Sequence, residues 1–343
     1  MGVKNLATYG ATLAIAWGAF SFGAVYPWGY WPLIFIAVAS GTAGLALRES
    51  YEPRATAFGI ALVVLCIAVA AQLIPVPAAI LAKFNPAADR LLQQFEFAYD
   101  AGLSASHPVS ILPNATWLGL AFAVAFSIFA VGLTRSLSVA GCHGLAARAI
   151  VIGSIIAIVG IVQRGFSTTK IYGVWQPQYT GDSFDPFVNR NHFAGWMVMT
   201  LSLAVGYFCG GAAGAMRRVR PGWRNRLVWL ASTQANKLVL TAFALVLMAL
   251  SLVVSMSRSG ITCLAIALIL GGWFVRRQLG DGYRGTLIAG YLALVFVIAV
   301  GRIGIDIVSD RFAAASWETL GGRFGAWADA ARVIRDFPLA GTG

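Results

Sequence analysis

Charge is what this sequence has least of. Aspartate, glutamate, lysine and arginine together make up 11% of its 343 residues, against roughly 25% in a soluble domain, while 59% of the chain is hydrophobic and the mean hydropathy is +0.76. A water-soluble fold is excluded. Cysteine is sparse as well: Cys66, Cys142, Cys209 and Cys263 show no CxxC spacing and have no partner nearby in sequence, so neither a disulfide framework nor a metal framework follows. The first apolar stretch, preceded by Lys4, ends in no A-x-A cleavage site, and a second stretch follows at once. It therefore reads as a retained transmembrane helix and not as a signal peptide. No fixed-period repeat and no low-complexity segment is present.

What the chain does have is apolar runs. Leu118–Val131, Ala149–Val162, Leu238–Val254 and Thr286–Val300, extended by small residues, approach the ~20 residues that cross a bilayer as a helix. The pattern predicts an all-α polytopic transmembrane bundle of about nine spans, at 6–25, 29–47, 57–74, 115–134, 147–163, 192–210, 238–256, 260–275 and 285–303. The domain division expected is a bundle over 1–303, followed at 304–343 by the start of a large periplasmic helical loop.

The formal charge of +12 would point to nucleic acid in a soluble protein. Here the basic residues gather in short loops between apolar spans and act as topology signals. Alternate loops hold Arg48 and Arg54; Arg135 and Arg148; the run from Arg217 to Lys237, with Arg218, Arg220, Arg224 and Arg226; and Arg276, Arg277 and Arg284. By the positive-inside rule these are cytoplasmic, as is the N-terminus. The turn 26–31, the segments 75–113 and 164–191, the junction 257–260 and everything after about residue 304 then face the periplasm. Trp28, Trp31, Trp175 and Trp196 fall where an aromatic belt meets membrane lipids. Nucleic acid is not an expected partner.

Three constellations carry polar chemistry. Ser255-Met256-Ser257-Arg258-Ser259-Gly260 interrupts an otherwise continuous apolar run from Leu238 to Val275. An arginine within hydrocarbon costs ~2.5–3.5 kcal/mol on insertion scales, so Arg258 belongs at the periplasmic boundary or in a wet cavity. Ser257 or Ser259 is a good N-cap for a helix starting near Gly260, whose free N–H groups and dipole would favour an anion beside Arg258.

The second is Asp182-Ser183-Phe184-Asp185-Pro186-Phe187-Val188-Asn189-Arg190-Asn191-His192, a periplasmic loop leading into a helix. Asn189, Arg190, Asn191 and His192 put four polar groups there, suited to sugar hydroxyls or phosphate. Asp182 and Asp185 are too little to predict a metal site. The third is the last stretch, where Phe324, Trp327, Ile334 and Phe337 recur at helical spacing. It predicts an amphipathic helix broken by Pro338, with Arg323 at its start as a second phosphate clamp.

At these residues the sequence resembles the O-antigen ligase and O-antigen polymerase family. Ser257-Arg258-Ser259-Gly260 resembles its periplasmic S-R-[SG]-[GA] junction. Gly322-Arg323 with Trp327, followed by Pro338-Leu339-Ala340-Gly341-Thr342-Gly343, resembles its G-R-x-x-x-W…P-L-x-G-x-G segment. Phe187-Val188-Asn189-Arg190-Asn191-His192-Phe193-Ala194 is similar to an F-x-N-x-N-x-x-[AG] pattern of the ligase-like branch.

The resemblance covers about residues 55–343, with an O-antigen ligase-type domain over about 190–343, and it implies a GT-C-like bundle in the bacterial inner membrane. It also implies an inverting, metal-independent glycosyltransferase without cofactor. Such an enzyme moves a glycan from an undecaprenyl-diphosphate donor to a lipid A core or polysaccharide acceptor. By position, Arg258 and Arg323 would be catalytic, holding the diphosphate. Arg190, Asn189, Asn191, His192, Ser257, Ser259 and Trp327 would bind substrate. In such enzymes a catalytic His lies further along the periplasmic loop. None of His107, His143 and His192 occupies that place, so the expectation is a C-terminally truncated chain that is inactive by itself.

A rhomboid-like protease would need Gly at 257, where Ser257 stands, and a later His, and none follows His192. A multi-pass transporter or glycan flippase is the alternative from another class. Its ionisable residues would sit near mid-membrane, whereas here they cluster in loops.

Overall fold

The computed structural model describes residues 3–46, 53–137, 139–166, 170–177, 183–218, 224, 228–229, 231–279, 283–301, 317–338 and 341–343. Arg48, Asp182, Arg220, Arg226, Leu339, Ala340 and the loop start at 304–316 lie outside the described residues, as do the side chains of Arg54, Arg217, Arg218, Arg284 and Arg323.

Each of the nine expected spans is a helix. They are α1 (Val3–Phe20), α2 (Pro27–Leu45) and α3 (Pro53–Ala71), then α7 (Pro113–Ser136), α8 (Val139–Gly165), α9 (Arg190–Arg218), α10 (Thr233–Val254), α11 (Arg258–Leu279) and α12 (Tyr283–Gly301). Among the described residues six are long and apolar enough to cross a membrane, and the three shorter apolar helices are 6–20, 56–71 and 285–301. The chain is an all-α, multi-pass membrane protein. α2, α3 and α7 all begin on proline, whose missing N–H and preset φ suit the first helical position. Ser232 caps α10 by accepting from the Ala235 N–H. Large apolar side chains such as Phe35, Ile67, Phe243 and Ile269 remain exposed on these helices, as expected where the surrounding solvent is hydrocarbon.

Two compact units divide the chain: 1–10, 34–136 and 315–343 form one, and 11–33 with 137–314 the other. In the first, α2 and α7 approach through glycines. A Cβ added at Gly41 or Gly44 would strike the α7 backbone at Ile128 or Gly132, the small-residue contact that membrane helices use in place of a hydrophobic drive. Cys66 on α3 lies 3.6 Å from the Ser127 hydroxyl on α7.

The segment 75–113, expected only as a loop, is folded. β1 (Pro75–Pro77) pairs antiparallel with β2 (Ser106–Pro108), and between them run α4 (Ala78–Phe84), α5 (Pro86–Phe95) and α6 (Phe97–Asp100). Leu81, Leu92 and Tyr99 make its small core, where burial first and the Asp89 acceptor second push the Tyr99 hydroxyl up to about 12.

α13 (Trp317–Asp336) supplies the amphipathic helix expected at the end of the chain, stopping before Pro338. Phe324, Trp327 and Ile334 are exposed on it. Phe337 does not continue that face, because it lies past the helix end and packs on Ala87 and Ala88 of α5. The Ile111 N–H donates to the Thr342 carbonyl at 3.0 Å, tying the last residues to the same unit.

In the second unit α8, α9, α10, α11 and α12 pack together around Phe193, Met197, Leu201, Leu245, Met248, Leu252, Leu264 and Leu292, all fully buried. This core sets the height and rotation of α9 and α11, whose first turns carry the candidate site.

Candidate functional site

α10 ends at Val254 because Met256 takes a left-handed φ of 56°, a conformation a residue with a Cβ adopts rarely. The chain resumes as α11 at Arg258, two residues before the start expected from the sequence. Ser257 is its cap: the Gly260 N–H points to the Ser257 Oγ at 3.4 Å, and Ser259 belongs to the first turn. Ser257 Oγ also donates to Asn191 Oδ1 at 2.9 Å and lies 3.3 Å from Ser259 Oγ. A hydroxyl has one proton and two lone pairs, so Ser257 is fully engaged. It joins α11 to α9.

The α9 end is built the same way. Asn189 is the cap, its Oδ1 accepting from the Asn191 N–H at 2.8 Å, and Arg190 is the first helical residue. Two helix N-termini therefore meet through Ser257 and Asn191, and each begins with an arginine. A cation is the wrong sign for the positive end of a helix dipole, by about 0.3–1 kcal/mol. Two such placements side by side make a site poised for an anion. Among the described residues no carboxylate pairs with Arg258, which is half-buried. The helices approach closely here, since a Cβ on Gly260 would stand 2.8 Å from the Cβ of Ala194.

The loop before α9 is wedged in place by aromatic rings. Phe184 and Phe187 form a bridge across Asp185-Pro186, whose peptide bond is cis, and the Phe193 ring stands 4.5 Å from that of Phe184. A Cβ on Gly160 of α8 would run into Phe184. The buried Asp185 accepts the Tyr172 N–H at 2.7 Å, and the Tyr172 hydroxyl donates to the Phe20 carbonyl at 2.8 Å. Burial pushes the Asp185 carboxyl up to about 6 against the opposing pull of that N–H. Burial and the nearby Asp185 raise Tyr172 to about 12. Phe22 sits among Trp28, Tyr172, Trp175 and Tyr26 with ring centroids 5.3, 5.6, 5.7 and 6.2 Å away.

The structure thus joins Asn189, Arg190, Asn191, Ser257, Arg258 and Ser259 at one place. His192 lies in the same first turn of α9 with its side chain exposed. Arg323 and Trp327 belong to α13 in the other unit, where the Trp327 ring is exposed and edge-on to Phe324 at 5.4 Å. His107 is a structural histidine, buried in the 75–113 fold with Nε2 at 3.0 Å from Glu96 Oε2. His143 is on α8, edge-on to Tyr207.

Sequence reasoning missed the brace of Asp185, Tyr172 and Phe20. Its one legible signal was the Phe184-Asp185-Pro186-Phe187 run, in which a carboxylate stands between two aromatic rings.

Residues 243–343 match the family model described as O-antigen ligase. No curated protein and no solved structure matches the chain.

Proposed function

We propose that this chain, whose residues 243–343 match the O-antigen ligase family model, carries out lipid-linked glycan transfer. The glycan leaves an undecaprenyl-diphosphate carrier and joins a sugar hydroxyl of a lipid A core or a growing polysaccharide, on the periplasmic face of the bacterial inner membrane. The observation that supports this most is the pair of arginine-headed helix N-termini, Arg190 on α9 and Arg258 on α11, pinned by the 2.9 Å bond between Ser257 and Asn191.

In this reading the bond from the anomeric carbon to the carrier diphosphate breaks as the acceptor oxygen attacks from the opposite side, inverting the centre. Negative charge grows on the diphosphate. Guanidinium groups and helix N–H groups fixed in advance stabilise that charge more than they stabilise the ground state. Arg258 is the principal clamp, Arg323 on α13 a second and Arg190 a third. Asn191, His192 and Ser259 contact the glycan or phosphate from the first turns. Asn189 and Ser257 act by holding those turns, and Trp327 offers an aromatic face to a sugar. The acceptor proton passes to a general base that none of His107, His143 and His192 is assigned to be.

Arg258→Ala in the complete protein, in cells lacking the native gene, is expected to reduce transfer to the surface glycan by about 10²–10³-fold, the usual effect of removing one oxyanion contact, with membrane insertion unchanged. Arg258→Lys retains the charge without the bidentate fork and falls between. Wild-type transfer by the alanine variant would remove the clamp role.

A further inference from the structure

Away from the arginine site, the second unit holds an apolar cavity of about 410 Å³, within the ~300–1,000 Å³ range of ligand pockets. It is an open groove that runs from Ala147 to Ile158 on α8 and from Lys237 to Leu247 on α10, with Tyr207 of α9 also lining it. The two hydroxyls on its helical walls bond back to their own helices. Ser154 Oγ donates to the Ile150 carbonyl at 2.8 Å and Thr241 Oγ1 to the Lys237 carbonyl at 2.7 Å, so both are satisfied within their own helix and the walls are apolar.

One end is different. Lys237 is exposed there, and among the described residues no carboxylate pairs with it. Eleven helical steps separate Ala147 from Ile158, about 16 Å at 1.5 Å per residue, close to half of a hydrocarbon core about 30 Å thick. The cavity is thus one leaflet long, apolar along its length and cationic at one rim.

We propose that this groove binds one anionic glycerophospholipid of the cytoplasmic leaflet, an acyl chain lying between α8 and α10 and the headgroup phosphate against Lys237. The charge selects the headgroup and the length selects a single leaflet. The Tyr207 hydroxyl, which has no hydrogen-bond partner among the described residues, is a donor available within the groove. The site is separate from glycan transfer and shares with that reading only the orientation that puts Lys237 on the cytoplasmic side.

The test is native mass spectrometry of the full chain in mild detergent, with phosphatidylglycerol and phosphatidylcholine added in equal amounts. Wild type is expected to retain one phosphatidylglycerol about fivefold more than phosphatidylcholine, the effect of one lysine at an anionic surface. Lys237→Gln should erase that preference, and Ser154→Phe, which fills the groove midway, should lose both lipids. Equal retention of the two lipids by wild type, an unchanged preference in Lys237→Gln, or undiminished binding in Ser154→Phe overturns the proposal. So does a dimer peak that Ser154→Phe abolishes, since the groove would then hold a second copy of this chain.

Discussion

Asp185 illustrates how a polar residue beside a candidate site can serve the fold. A carboxylate beside a helix entrance suggests a ligand in sequence, yet in the fold it accepts a backbone N–H from Tyr172 and is shut away from solvent. Its carboxyl is pushed up to about 6 from 3.8, so between those values the folded state holds more proton than the unfolded one. Stability therefore falls as pH rises through that window and stays lower above it. Asp185→Asn keeps an acceptor for Tyr172 without the charge. Its unfolding free energy in detergent should decline less between pH 4 and 7 than that of wild type, by on the order of 1–3 kcal/mol. Parallel pH profiles for the two proteins would show that Asp185 is not the titrating group. Asn189 and Ser257 serve the fold as well. Both were legible as polar groups at helix entrances, and both prove to be caps whose oxygen atoms are occupied.

At the scale of elements, the junction between α9 and α11 depends on a glycine at the contact point. Gly260→Ala adds one Cβ where only 2.8 Å to the Ala194 Cβ remains, so α11 must move away from α9 and the Ser257 to Asn191 bond must stretch. Overpacking of this kind costs about 1–3 kcal/mol. In an Ala194→Gly background the added methyl has room. A double-mutant cycle read by thermal unfolding should therefore give a coupling of at least about 0.5 kcal/mol, and additive effects would mean that the helices do not meet there. The S-R-S-G motif marked this junction as a break between helices. Which residue caps α11 was not legible, since Ser257 and Ser259 are equally good caps by type. The left-handed turn at Met256 starts the helix two residues early and settles it.

Over the whole molecule, alternation of basic loops with longer aromatic loops predicts the orientation, and cysteine chemistry can read it. Cys142 is exposed in the first turn of α8, next to loops rich in arginine, so a membrane-impermeant maleimide should label it only after the inner membrane is opened. A cysteine introduced by Ser104→Cys in the 75–113 fold should label in intact spheroplasts. The reverse pattern would place the arginine-headed helix ends in the cytoplasm, where no periplasmic acceptor can reach them, and the transferase proposal would fail with it.

Composition and hydropathy by themselves determined that this is an all-α membrane protein and where each of its apolar helices lies. Every helix that crosses hydrocarbon has to be apolar nearly all round with its backbone bonds satisfied internally, and that demand is written residue by residue. Proline and glycine, acting locally, likewise marked helix starts and close approaches. Only the tertiary structure decided that segment 75–113 folds, that Phe337 leaves its helix face for α5, and that residues 191 and 257 share a hydrogen bond across 66 positions of chain. Those outcomes depend on how far apart and at what rotation packed helices sit. Side-chain volumes in the core around Phe193, Met248 and Leu264 set that geometry, and no local pattern in the chain encodes it.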